Sequence, residues 1–130
     1  MANPVPHSSP VPIRIAVAGA SGRMGRMLIE AIRESDDCVL AGALDVPASP
    51  GIGSDATAFL GYASGVPITA DLDCGLATAD VLIDFTRPEG TLAHLTACVR
   101  HGVQAVVGTT GFSDAQKAEI AGHAEHIAIV

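Results

Sequence analysis

The stretch 13–25, IRIAVAGASGRMG, constrains this chain more than any other. An apolar run leads directly into three glycines spaced by three, Gly19, Gly22 and Gly25, and a helical pattern, MLIEAIRE, follows at once. A buried strand, a glycine turn and an amphipathic helix in that order set a helix N-terminus beyond the strand end, which is a seat for phosphate. In such a turn one glycine makes the tight bend, one lets a ligand approach the backbone, and one lets the helix pack closely on the strand. Gly19, Gly22 and Gly25 fit those roles in order, in a GxxGxxG variant. The amides of Gly22 to Met24 are expected to face an anion, aided by the helix dipole and by the nearby Arg23 guanidinium.

The rest of the chain repeats this alternation. The first strand, Ile13–Ala18, is apolar on nearly every residue and so reads as buried on both faces. A helix over 23–33 follows, with Met24, Leu28 and Ala31–Ile32 as its expected inward stripe. A second strand, Cys38–Leu44, ends at Asp45 and completes a right-handed βαβ unit. The segment 46–62 is rich in Pro, Gly, Ser and Asp and reads as a long loop, with a helical turn near 56–60. A short edge strand at 66–68 and a brief helix at 71–77 come next. The strand 81–85 precedes a helix that carries Pro88 in its first turn, after Thr86 or Arg87, with Leu92, Leu95 and Val99 facing inward and Gly102 closing it. A strand at 104–108, a helix capped by Ser113 or Asp114 and running to about His123, and the start of another strand at 127–130 complete the pattern. Such alternation predicts an α/β, Rossmann-type doubly wound, mostly parallel sheet with helices on both faces. Residues 1–12, with prolines at 4, 6, 10 and 12, read as a disordered leader to one domain over 13–130.

Composition narrows the function. Aromatic residues make up only 3% of the chain against 48% hydrophobic, so the core must be aliphatic. A net charge of −7 argues against a nucleic-acid surface, and no apolar run is long enough to span a membrane. Cys38, Cys74 and Cys98 have neither disulfide nor zinc spacing and read as reduced thiols of a cytoplasmic protein.

Asp45 lies about twenty residues beyond Gly25, at a strand tip where a carboxylate accepts from the adenosine ribose hydroxyls. Val46 and Pro47 after it offer no cation to a 2′-phosphate, which the carboxylate would repel. NADH is therefore the expected cofactor, with NADPH possible through Arg23. Phe85-Thr86-Arg87 and Gly108-Thr109-Thr110-Gly111 sit at later strand ends, where they suit a nicotinamide carboxamide or serve as ordinary turn and capping residues. His94, Cys98 and His101 share one helix face, mostly off the apolar stripe. That spacing could hold a soft metal, but a structural role is the expectation. His123 and His126 read as surface residues. No Ser/His/Asp set or close carboxylate pair has catalytic spacing, so no catalytic residue is assigned.

Taken together, VAGASGRMG, VLIDFTRPEGT and VVGTTGF resemble the N-terminal domain of the dihydrodipicolinate (4-hydroxy-tetrahydrodipicolinate) reductases of the bacterial diaminopimelate and lysine pathway, over about 13–130. The resemblance implies that Gly19, Ala20, Ser21, Gly22, Arg23 and Met24 hold the pyrophosphate and Asp45 the adenosine ribose. It places Gly108, Thr109 and Thr110 at the nicotinamide, Phe85 and Thr86 on the same side, and Thr110 also at the substrate. Many members carry Glu then Arg where this chain has Asp45 then Val46, and commonly accept both NADH and NADPH. The family's substrate domain, with its His-His pair, Lys and Ser-Gly-Thr stretch, has no counterpart in these 130 residues. The expectation is thus a hydride-carrying half, inactive alone, of a homotetrameric enzyme acting on a cyclic dicarboxylate. Two rival readings are an N-acyl-phosphate or semialdehyde dehydrogenase, which needs a thiolate nucleophile, and an NAD- or CoA-binding regulatory module without catalysis.

Overall fold

The computed structural model describes residues 11–130. Of the expected leader, residues 1–10 lie outside the described residues, and Val11 and Pro12 are exposed without regular structure. Five strands alternate with helices: β1 (Ile13–Ala18), α1 (Arg23–Glu34), β2 (Cys38–Leu44), β3 (Ile68–Thr69), α2 (Leu72–Leu76), β4 (Val81–Asp84), α3 (Pro88–His101), β5 (Gln104–Val107) and α4 (Asp114–His123). All ladder pairs are parallel and the order is β3-β2-β1-β4-β5, so the winding direction reverses between β1 and β4. The doubly wound sheet expected from the alternation is present. Ala105 bridges Ile129 in parallel, which starts the further strand expected at 127–130.

β1 alternates its side chains between two cores. Ile15 and Val17 join Ile29, Ile32, Ala43 and Ile68 beneath α1, while Ala16 and Ala18 join Leu44, Leu76, Leu82, Cys98 and Val103 beneath α2 and α3. Burying a side chain such as Ile29 or Leu82 contributes roughly 2 kcal/mol, so each layer holds the sheet from its own side. The N-terminal margin is tied outside the core, where the Arg14 guanidinium meets Asp80 at 2.9 Å.

Two helix faces differ from the expected ones. On α1 the buried residues are Gly25, Ile29 and Ile32; Leu28 is partly buried, whereas Met24 and Ala31 are exposed. The stripe is rotated by one residue because Gly25, having no side chain, seats the helix backbone against the turn below it. On α3 the buried set is Thr91, Leu95, Ala97 and Cys98, with Leu92 and Val99 only partly covered. This helix packs on the sheet, α2 and α4, so a single stripe does not describe it.

The expected caps formed. Ser113 and Gln116 make a reciprocal capping box at α4, and Gly102 ends α3 at φ +67°. Arg87, without a side-chain bond, is the residue preceding α3, and Pro88 takes the first position.

The 46–66 segment is folded back on α1. A 3-10 turn, Ala58–Leu60, forms where a helical turn was expected. The Asp55 carboxylate accepts from the Thr57 and Ser64 amides and hydroxyls and from the Gly65 amide. Those bonds, the Thr57 amide first, hold its carboxyl far below the usual carboxylate range. Arg26 stacks over Phe59 at 5.0 Å and Arg33 over Tyr62 at 4.8 Å, pinning the loop along the helix. The edge strand expected at 66–68 begins two residues later and ends one later: Ile68 and Thr69 pair with Ala43 and Leu44, while Pro67 bridges Asp55.

Candidate cofactor site

The strand ends are in register. Thr69, Leu44, Ala18, Asp84 and Val107 lie side by side across the sheet. The residues just beyond them, Asp45, Gly19, Phe85 and Gly108, therefore line one edge, astride the reversal point between β1 and β4. In open parallel sheets that crevice is where ligands bind. It brings the glycine turn, Asp45 and the 85–86 and 108–110 segments to one edge.

Each glycine of the turn has a distinct reason. Gly19 sits at φ +76°, which bends the chain out of β1, and a Cβ there would lie 3.3 Å from the Thr86 methyl. The glycine turn and the end of β4 are thus in contact. A Cβ on Gly25 would lie 2.0 Å from the Gly19 carbonyl oxygen, so α1 approaches the turn as closely as backbone allows. The Gly19 and Ala20 amides both donate to Leu44 O, at 2.8 and 3.0 Å, and the Ser21 amide donates to Asp45 Oδ2 at 2.9 Å. The Gly22 amide donates to Gly19 O at 2.9 Å and so, contrary to the sequence-based expectation, is not available to an anion. The amides of Arg23, Met24 and Gly25 donate to no partner among the described residues. No acidic residue stands in the first turn, and Gly22 as N-cap contributes no side-chain bond. Three unoccupied donors at a helix start, with exposed Arg23 beside them and unpaired among the described residues, fit a pyrophosphate.

Asp45 is partly buried and has work already: Oδ2 takes the Ser21 amide and Oδ1 the Val46 amide, at 2.9 and 2.8 Å. A carboxylate offers about four acceptor positions, so one on each oxygen remains for a diol. Ser49 was not singled out by sequence. It donates its hydroxyl to Ser21 Oγ at 3.2 Å and so draws the 46–52 loop onto the turn.

At the other end, the Phe85 ring lies over Gly108, where a Cβ would fall 2.1 Å from Phe85 Cε1. Phe85 is nevertheless 42% exposed, leaving part of its ring to the crevice. Thr110 is exposed, whereas Thr109 is buried and its hydroxyl is engaged inside the protein. It accepts from the Thr86 amide and from the Thr91 hydroxyl, each at 2.9 Å. Of the two hydroxyls expected at the nicotinamide end, only that of Thr110 is free to meet a ligand; Thr109 can contribute its backbone.

Beneath these residues lies a cluster that sequence reasoning missed. Asp84 is 1% exposed, with Oδ1 accepting from the Thr86 amide at 3.0 Å and the Thr86 hydroxyl at 2.5 Å, and Oδ2 meeting His94 Nδ1 at 2.6 Å. Burial pushes the Asp84 carboxyl up, but the bonds from His94 and Thr86 outweigh it and hold the group below its ordinary value. The signal was available: an acid closing an apolar parallel strand must find partners. His94 and Cys98 are thus covered rather than set off the apolar face, and His101 instead meets Asp73 at 2.7 Å. Burial and the Asp84 charge push the Cys98 thiol up to about 12, and Asp71 raises that of Cys74. Neither is poised to ionise as the dehydrogenase alternative requires.

The chain is similar to several known proteins. A 4-hydroxy-tetrahydrodipicolinate reductase of Herminiimonas arsenicoxydans is 63% identical over 118 residues, which is 91% of this chain and 44% of that protein. The protein of the same name in Cupriavidus taiwanensis is 62% identical over the same shares. The chain therefore spans less than half the length of the curated relatives it matches. A solved dipicolinate-bound dihydrodipicolinate reductase from Paenisporosarcina sp. TG-14 superposes with a TM-score of 0.70 at 28% identity, over 88% of this chain and 44% of that one. Biliverdin reductase from Synechocystis sp. PCC 6803 reaches 0.72 at 14% identity, over 92% of this chain and 37% of that one, a likeness of fold alone. The family model described as the N-terminus of dihydrodipicolinate reductase matches residues 13–130, the whole of the folded unit described above, and the chain belongs to that family.

Proposed function

We propose that residues 13–130 bind a reduced nicotinamide dinucleotide and hold it for hydride transfer to a cyclic dicarboxylate, as the cofactor half of a 4-hydroxy-tetrahydrodipicolinate reductase. The observation that carries this is the set of unpartnered Arg23, Met24 and Gly25 amides at the β1–β4 crevice. The cofactor, when bound, supplies the hydride. This chain's part is to orient it. The three amides and Arg23 fix the pyrophosphate, the remaining lone pairs of Asp45 hold the adenosine ribose, and Gly19 to Gly22 let the backbone come close. Phe85, Thr86, Gly108 and the Thr109 backbone shape the nicotinamide end, and the Thr110 hydroxyl reaches toward substrate. In this reading each of these side chains binds or orients and none supplies a proton to substrate, so the 130 residues by themselves are expected to bind cofactor without turning over substrate. Constant absorbance at 340 nm with substrate present is the expected result, and steady NADH consumption would overturn it. In this reading the parent enzyme is cytoplasmic and homotetrameric and works in the diaminopimelate and lysine pathway. Among the described residues no helix is long and apolar enough to cross a membrane.

NADH is the preferred cofactor in this reading and NADPH a possible one. Asp45 faces the position of a 2′-phosphate, and no cation follows it. Titration calorimetry is expected to give NADH about tenfold tighter binding than NADPH, the scale of one charge-assisted hydrogen bond. Asp45→Ser is expected to erase most of that ratio by weakening NADH. Equal or tighter NADPH binding by the unaltered chain contradicts the assignment.

A further inference from the structure

The nicotinamide end has no rigid element of its own. Phe85 and Thr86 follow β4, and Gly108 to Thr110 follow β5. What fixes one against the other lies underneath. The Thr86 amide is shared between Asp84 Oδ1 and Thr109 Oγ1, at 3.0 and 2.9 Å. The Thr91 hydroxyl, from the first turn of α3, donates to Thr109 Oγ1 at 2.9 Å. Thr109 is thereby left to direct its own proton toward Asp84, whose carbonyl and carboxyl oxygens both lie at 3.4 Å. The Thr86 and Thr109 hydroxyl protons thus run toward Asp84, and that of Thr91 toward Thr109. With Oδ1 filled by donors, the proton of the 2.6 Å contact belongs on His94 Nδ1. The cluster joins the ends of β4 and β5 to α3, and His94 is the ring that closes it from the helix.

We propose that Asp84 and His94 form a positioning pair that sets the spacing of the 85–86 and 108–110 segments, and so governs how the nicotinamide, but not the adenosine, is held. The proposal rests on the cofactor reading above. Among the described residues neither side chain hydrogen-bonds to a residue expected to carry the ribose or pyrophosphate; their partners are Thr86, Thr109 and each other. Asp84 is sealed from solvent, and the His94 side chain is 14% exposed. Its effect reaches the ligand through Thr86 and Thr109. A merely structural pair would change stability, or weaken all ligands alike.

The test compares NADH with ADP-ribose, which lacks the nicotinamide, by titration of the full chain, with NADH fluorescence reporting the ring. His94→Leu is expected to lower NADH affinity about tenfold, the cost of an unmade buried charge-assisted bond. ADP-ribose affinity should stay within about twofold. His94→Asn, which keeps a nitrogen donor near Nδ1, should recover most of the NADH affinity. Thr91→Val, similar in shape and without the donor, should weaken NADH selectively and serves if His94→Leu does not fold. Equal losses for both ligands, or unchanged NADH binding in both His94→Leu and Thr91→Val, overturn the positioning role. Failure of the unaltered chain to bind ADP-ribose overturns instead the cofactor reading on which it rests.

Discussion

Gly25→Ala is expected to destabilise the domain by about 3 kcal/mol and to remove dinucleotide binding, although it places the best helix former inside a helix. Propensity alone favours the change by about 1 kcal/mol. The added methyl would stand 2.0 Å from Gly19 O, 2.8 Å from Gly19 C and 2.9 Å from Ala20 Cα. These are backbone atoms and cannot swing aside. Overpacking of this kind costs about 1–3 kcal/mol in side-chain surroundings and more against fixed backbone, so the clash outweighs propensity. Relief requires α1 to lift from the turn, which carries the Arg23 and Met24 amides away from the phosphate position. Gly122→Ala is the control. It sits in α4 with nothing within 4 Å of the added atom, and should be neutral or stabilising by up to about 1 kcal/mol. Urea unfolding and an NADH titration on both variants decide the matter; a Gly25→Ala protein as stable as the control contradicts the packing argument.

The second large effect is expected at Asp84. Leaving several buried donors without their shared acceptor costs about 3–5 kcal/mol, at about 1–3 kcal/mol for each. Asp84→Ala should lie in that range, since it strips acceptors from Thr86 and His94 together. Asp84→Asn should cost less and change the pH dependence instead. The native carboxyl titrates below its ordinary value of about 4. Its contribution to stability is therefore fully present above the unfolded value and is lost as pH falls through the folded one. Urea midpoints between pH 7 and pH 3 should fall less steeply for Asp84→Asn than for the unaltered chain. Asp55, Asp73 and Asp80 are also held low, so the acid limb persists, and the difference between the two curves isolates Asp84. Superimposable acid limbs rule out an ionised Asp84 in the folded protein.

The parts of the fold legible in sequence were those controlled locally. β1 is apolar on both faces, the glycine turn has one residue per geometric need, and Pro88, Gly102 and Ser113 punctuate helices by their own backbone chemistry. The rotation of α1 was not legible. A residue without a side chain registers as a gap in a hydrophobic stripe, whereas in three dimensions Gly25 is the closest contact the helix makes. The 46–66 loop was legible only as a loop. Its fold depends on Asp55 reaching Ser64 and on arginines of α1 stacking on its aromatics, contacts that no local pattern encodes.

For the site the division is similar. The sequence by itself determined that a helix N-terminus, freed by glycines, would follow a buried strand, and that Asp45 would stand at the neighbouring strand tip. Strand alternation and turn chemistry are properties of adjacent residues. Only the tertiary structure decided that Thr109 faces inward while Thr110 does not, and that Asp84 and His94 lie beneath them. Those outcomes depend on which strands become neighbours and where each donor finds its acceptor. A buried polar group is satisfied by whatever the fold brings within 3 Å, and the fold brings residues ten to twenty-five positions apart.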